Sequence, residues 1–68
     1  MTQTSTYTVT GMTCGHCVSS VTEEVQEIPG VDKVAVVLET GALTVTSSRP
    51  LDDDAVKAAV EEAGYRLA

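Results

Sequence analysis

The apolar residues of this 68-residue chain switch repeatedly between two spacings, and that switching constrains the fold more than any other feature. Tyr7 and Val9 alternate with Thr6, Thr8 and Thr10, the pattern of a half-buried strand. Gly11 ends it. Val18, Val21, Val25 and Ile28 then recur in steps of three and four, one stripe of a helix, until Pro29-Gly30 stops it. From Val31 to Glu39 the chain alternates again through Val34, Val36 and Leu38. Thr40-Gly41 supplies a turn, and Leu43 and Val45 alternate with Thr44 and Thr46, so this stretch reads as a hairpin. Ser47 to Pro50 reads as a connection. Asp52, Asp53 and Asp54 offer a helix N-cap and negative charge at the positive end of the helix dipole. Val56, Ala59, Val60 and Ala63 make the second helical stripe, and Gly64 stands at the C-cap position. Tyr65 to Leu67 suffices for a last short strand.

The order is βαββαβ. Both helix stripes are buried most simply by laying the two helices on one face of a four-stranded sheet. The expected class is therefore α+β: a ferredoxin-like, open-faced sandwich with a four-stranded antiparallel sheet. The length allows one domain, residues 1–68, with the polar residues 1–5 expected to fray. A chain this short lies just below the size at which a core is comfortable, so modest stability is expected.

Ten acidic against four basic side chains give a formal net charge of −6. That balance argues against nucleic-acid binding, which rests on Lys and Arg neutralising phosphates. No apolar run approaches a membrane span, so no membrane insertion is expected. The first ten residues lack the basic and apolar regions of a signal peptide, which points to the cytoplasm. The chain begins at Met1 and stops at its last strand, and is read as free-standing.

Chemistry concentrates in one loop. Cys14 and Cys17, the only cysteines, fall between the first strand and the first helix. A helix N-terminus offers unpaired N–H groups and a positive dipole end, both of which favour thiolate. No acidic residue precedes Glu23, so local charge does not oppose the thiolate. A disulfide here would close a very short loop and remove little unfolded-state entropy. A closed zinc site wants four ligands, and there is no second Cys pair. Two readings stay open on the residues alone. Two thiolates suit a soft d¹⁰ ion of low coordination, with Cu(I) the physiological candidate. A dithiol–disulfide oxidoreductase also uses Cys-Gly-His-Cys. However, thioredoxin-like domains are typically longer, carry Trp before the motif where Thr13 stands here, and need a cis-Pro strand.

Gly-Met-Thr-Cys-Gly-His-Cys, residues 11–17, resembles the G-M-x-C-x-x-C motif of heavy-metal-associated domains. That family comprises copper chaperones and the metal-binding domains of copper-transporting P-type ATPases. Pro29-Gly30-Val31 and Ala63-Gly64-Tyr65 extend the resemblance over residues 6–68, and His16 before the second Cys is similar to bacterial CopZ-type chaperones. The resemblance implies Cu(I) held near the surface by Cys14 and Cys17, and transfer by ligand exchange to a metal-binding domain of a copper-transporting P-type ATPase. It implies no enzymatic turnover. It leaves the chain a free chaperone or one domain of such an ATPase, monomeric without metal, with a copper-bridged dimer left open.

Around the thiols, Met12 is expected to anchor the loop in the core rather than to ligate. His16 is expected to tune the thiolates as a neighbour. The resemblance places Tyr65 beside the metal loop, where it shields the site. Gly11 and Gly15 are expected to give the loop backbone freedom. Unlike many chaperones, this chain has no Lys or Arg before Lys33. Its acidic residues lie on the helices, so a partner with complementary positive charge is expected.

Overall fold

A computed structural model describes residues 2–13 and 15–68. Cys14 and Met1, on which the sequence places a metal ligand and the chain start, lie outside the described residues. The elements are β1 (Gln3–Thr10), α1 (Gly15–Gln26), β2 (Val31–Val37), β3 (Ala42–Ser47), α2 (Asp53–Glu62) and β4 (Arg66–Leu67). The sheet order is β2-β3-β1-β4 with every pairing antiparallel. This is the ferredoxin-like arrangement that the periodicity predicts.

The pleat sorts the strands into two faces. Val9, Leu43 and Val45 point inward and meet Val21 and Val25 of α1 and Val56 and Val60 of α2. These seven make the core. The other face of β1 and β3 carries Thr4, Thr6, Thr8, Thr44 and Thr46, with Thr4 opposite Thr46 and Thr6 opposite Thr44. Threonine suits that position because its branched carbon fits the pleat while its hydroxyl meets water.

Element boundaries depart from the sequence reading in instructive ways. β1 begins at Gln3, not Thr6: Gln3, Thr4 and Ser5 pair with Ser47, Thr46 and Val45 instead of fraying. Their polarity suits an edge-accessible ladder that the alternation rule alone does not count. Ser47 belongs to β3 and is 1% exposed, with its hydroxyl donating to the Arg49 carbonyl at 2.7 Å. The buried hydroxyl is thereby satisfied. α1 stops at Gln26, and its end is tightened by bonds from Glu27 N–H to Glu24 O and Ile28 N–H to Val25 O. Ile28 packs against the core from the turn rather than from the helix. Leu38 falls outside β2 and is exposed.

The caps follow the sequence. The Asp52 side chain accepts from Asp54 N–H at 2.9 Å. At the far end Tyr65 N–H bonds Val60 O and Gly64 N–H bonds Glu61 O, the paired closure of a Schellman motif. That closure turns the chain into β4, and Arg66 lands opposite Thr10. No described helix is long and apolar enough to cross a membrane.

Candidate metal centre

Three connections meet at one end of the sheet. β1 runs out there at Thr10 into Gly11, Met12 and Thr13. The β2–β3 turn is tied to the same end by the Val9 N–H, which donates to Gly41 O at 2.7 Å. The α2–β4 turn arrives with Tyr65, next to Arg66 and its partner Thr10. The cysteine loop is therefore supported on both sides by short, hydrogen-bonded turns.

Gly11 has φ +91°, a left-handed conformation that favours glycine. A Cβ built there would sit 3.5 Å from Cδ1 of Tyr65. The chain thus bends sharply as it leaves the sheet, and the Tyr65 ring lies against the bend. Tyr65 is half-buried and also packs on the core. Met12 is half-buried and packs on the same core, which fixes the loop from below. Gly15 differs from the expectation of backbone freedom. It is the first residue of α1, lacks a left-handed φ, and has open space where a Cβ would go. No conformational demand for glycine exists at that position. His16 is exposed.

Cys17 lies in the first turn of α1 and is only 6% exposed. The stripe read from sequence begins at Val18. The structure begins it one residue earlier, with Cys17, Val21 and Val25 buried in steps of four. Counting cysteine as the small hydrophobe it is would have found this. The consequence is chemical. One cysteine of the pair is thus buried on the inward side of α1. Thr13, just before the helix, brings its Oγ1 to 4.0 Å from Cys17 Sγ. This contact was not legible as a role for Thr13 from the motif.

The acidic residues do not build a rival site. Asp52 caps α2, and Asp53 accepts a 2.9 Å bond from the Tyr7 hydroxyl. Among the described residues no three His, Cys, Asp or Glu side chains cluster as a metal cage. Burial, then the Asp53 contact, pushes the Tyr7 phenol above its usual 10.0. Glu24 on α1 has its carboxyl raised by loss of hydration and then by the charges of Glu27 and Glu62. Glu62 is on α2, so the acidic faces of the two helices act on one another.

The soft donor in this loop fits a thiophilic ion and not a hard one. Comparisons with known proteins agree on the family. The profile of the heavy-metal-associated domain matches residues 6–66. A COP-associated protein of Helicobacter felis is 39% identical over 59 residues, covering 87% of this chain and 89% of that protein. Copper-transporting ATPase 1 of Rhizobium meliloti is 42% identical over 57 residues, 84% of this chain but 7% of the ATPase. A mercuric reductase of Serratia marcescens is 36% identical over 85% of this chain and 13% of its own length. Among solved structures, a CopZ metallochaperone superposes with a TM-score of 0.90 at 33% identity, covering 97% of this chain and 100% of that one.

Proposed function

The chain belongs to the heavy-metal-associated domain family, and we propose that within it this protein is a cytoplasmic carrier of Cu(I). Cys14 and Cys17 are the ligands, and the ion passes by ligand exchange to the metal-binding domain of a copper-transporting P-type ATPase. The observation that carries this reading is the position of Cys17, buried in the first turn of α1 beside an uncharged loop.

The chemistry follows from the donors. Thiolate sulfur is soft and selects Cu(I) over the hard cations that carboxylates hold. The start of α1 offers N–H groups and a positive dipole end that stabilise the thiolate. Ligation by two sulfurs leaves the ion open to a third. An incoming thiolate of the partner adds before a resident one leaves, so copper never enters water. Both protein ligands come from one short segment, and loading ties no distant elements together. Such transfer needs no catalytic step.

The chain spans 89% of the COP-associated protein and 7% of the ATPase, so the same domain serves in both kinds of relative. The likeness to a mercuric reductase favours a second cargo, Hg(II), for the same donor pair. The test is an anaerobic Cu(I) titration against a competing chelator, repeated with Hg(II). Tight Cu(I) binding that disappears in Cys14→Ser and in Cys17→Ser supports the proposal. Weak Cu(I) binding with efficient disulfide reduction would sink it, and displacement of Cu(I) by equimolar Hg(II) would reassign the cargo. Sedimentation at rising copper distinguishes a monomer from a copper-bridged dimer.

A further inference from the structure

The two edges of the sheet are finished differently. β4 forms one edge and has two residues, one of them Arg66. So short and charged a strand offers little to another chain. β2 forms the other edge and has seven residues, Val31–Val37. Its one register shift, between Val31 and Lys33, lies at its start. From Val34 onward its pairing with β3 is regular. Alternate residues there turn N–H and C=O groups outward with no ladder partner. From Val34 to Leu38 the sequence holds no charge, no proline and no glycine. Val37 and Leu38, at 50% and 38% exposure, are the exposed large hydrophobics among the described residues. Lys33 and Glu39 bracket the run, and both are exposed. Among the described residues neither enters an ion pair.

We propose that β2 is a docking edge for a second copy of this chain, paired antiparallel about a two-fold axis at Val36. In that register Ala35 faces Val37 of the second copy and Val34 faces Leu38. Lys33 of each copy comes beside Glu39 of the other, which lies in the turn just past β2. Opposite charges across a strand pair stabilise it and like charges destabilise it. The bracket therefore selects this register. A shift of two residues sets Lys33 against Val37 or Gly41 and leaves the charge unmatched. A shift of one joins the outward face of one sheet to the inward face of the other. In the matched register the threonine faces of both copies continue on one side, and the helices lie on the other. The contact is isologous and uses up the open edge of each copy, so it closes at two. One short strand pair belongs to the small, transient class of interface, and each chain carries a net charge of −6. Pairing is thus a property of concentrated protein, and the dilute metal-free chain stays the monomer expected from the sequence.

The test uses the metal-free chain with chelator and reductant present, so that neither a metal bridge nor a disulfide contributes. Tumbling times from nitrogen NMR relaxation are read at rising protein concentration, up to the millimolar range. The parent's tumbling time should double, with concentration-dependent amide shifts confined to β2 and its turn. Lys33→Glu and Glu39→Lys each set like charges face to face, and each should abolish the doubling. The chain carrying both changes restores opposite charges and should regain it. Lys57→Glu, on α2, changes net charge as Lys33→Glu does and should keep the doubling. Glu39→Lys makes the chain less acidic, so its loss of association does not come from net repulsion. All three positions are exposed, and far-ultraviolet circular dichroism checks that the variants fold. A parent that tumbles as a monomer at every concentration overturns the proposal. So does a Glu39→Lys chain that associates like the parent, a double variant that stays monomeric, a Lys57→Glu chain that loses the doubling, or growth beyond a dimer. None of these outcomes depends on which metal the chain carries.

Discussion

Replacing Gly41 by Ala is expected to destabilise this domain severely, and the structure sets the scale. Gly41 has φ +76° and is buried at the end of the β2–β3 turn. A non-glycine residue pays about 1–2 kcal/mol for the left-handed conformation. A Cβ there also overlaps the Val9 carbonyl oxygen. That atom is backbone in the middle of a sheet and cannot step aside. The turn must move off β1, which loosens the 2.7 Å bond from Val9 N–H to Gly41 O, worth about 1 kcal/mol. The expected loss is about 2–3 kcal/mol. A domain of this length holds roughly 3–10 kcal/mol in total. At roughly 4–8 °C per kcal/mol, Tm should fall by about 10–20 °C.

The control is Gly15→Ala. The same atom is added, but in open space and in a helix, where alanine is preferred by roughly 0.5–1 kcal/mol. Tm should rise by about 3–5 °C. Thermal melts followed by far-ultraviolet circular dichroism compare the two variants directly. A Gly41→Ala protein melting within about 3 °C of the parent would refute the placement of the turn against Val9. Equal losses in both variants would refute the claim that local space, and not glycine content, sets the sign.

Glu24→Gln should stabilise the chain at neutral pH and not at acid pH. The carboxyl is raised from its ordinary 4.5, so the folded state holds that proton more tightly than the unfolded chain, and stability declines as pH rises from about 4.5 through the raised value; urea midpoints of parent and variant should converge below pH 4 and separate above pH 6. Tyr7→Phe removes the 2.9 Å bond to Asp53 between β1 and α2 and should cost about 0.5–1 kcal/mol by urea unfolding, while a phenol titrating at or below 10 in near-ultraviolet absorbance would contradict its environment. Stripping the proposed copper with a chelator should leave the far-ultraviolet spectrum unchanged, because the core cluster of Val9, Val21, Val25, Leu43, Val45, Val56 and Val60 contains neither proposed ligand; collapse of the spectrum would show that metal and fold are coupled as in zinc fingers.

The fold was legible because it is built on repetition. Val21 and Val25, Leu43 and Val45, and Val56 and Val60 each sit on a period that only one element satisfies, and all six are fully buried. What escaped were the features where one residue's context outweighs the period. Gln3 to Ser5 look like a polar tail until β3 provides partners for them. Ser47 looks like linker until its hydroxyl finds the Arg49 carbonyl. Cys17 reads first as chemistry, which hides its membership of the apolar stripe. Thr13 sits in a motif position that names no function, and its reach to Cys17 is a fact of three dimensions. Each of these depends on a partner distant in space or hidden by the residue's more obvious role.

The distribution of charge gives the loop and the helices separate electrostatic tasks. Along α1 the first carboxylate after Cys17 is Glu23, six positions on, or about 9 Å of helix. Two unit charges that far apart interact by about 0.5 kcal/mol in water and about 2 kcal/mol at the effective dielectric of a protein surface. The acidity of α1 therefore opposes a thiolate at Cys17 less than a carboxylate in the loop itself would. At encounter the same charges act together. Glu23 and Glu24 on α1, with Glu27 just past its end, reinforce Glu61 and Glu62 on α2, and Glu62 is among the charges that raise the Glu24 carboxyl. In the proposed transfer such a face steers an oppositely charged partner and leaves the metal loop uncharged for the exchange. Raising the ionic strength should accordingly slow copper exchange with the receiving ATPase domain severalfold, while Cu(I) affinity stays within about a factor of two. Stopped-flow transfer and chelator competition at the same salt concentrations measure the two quantities. An exchange rate indifferent to salt would remove the steering role of the helices. An affinity that follows salt as steeply as the rate would show that the loop is not insulated from them.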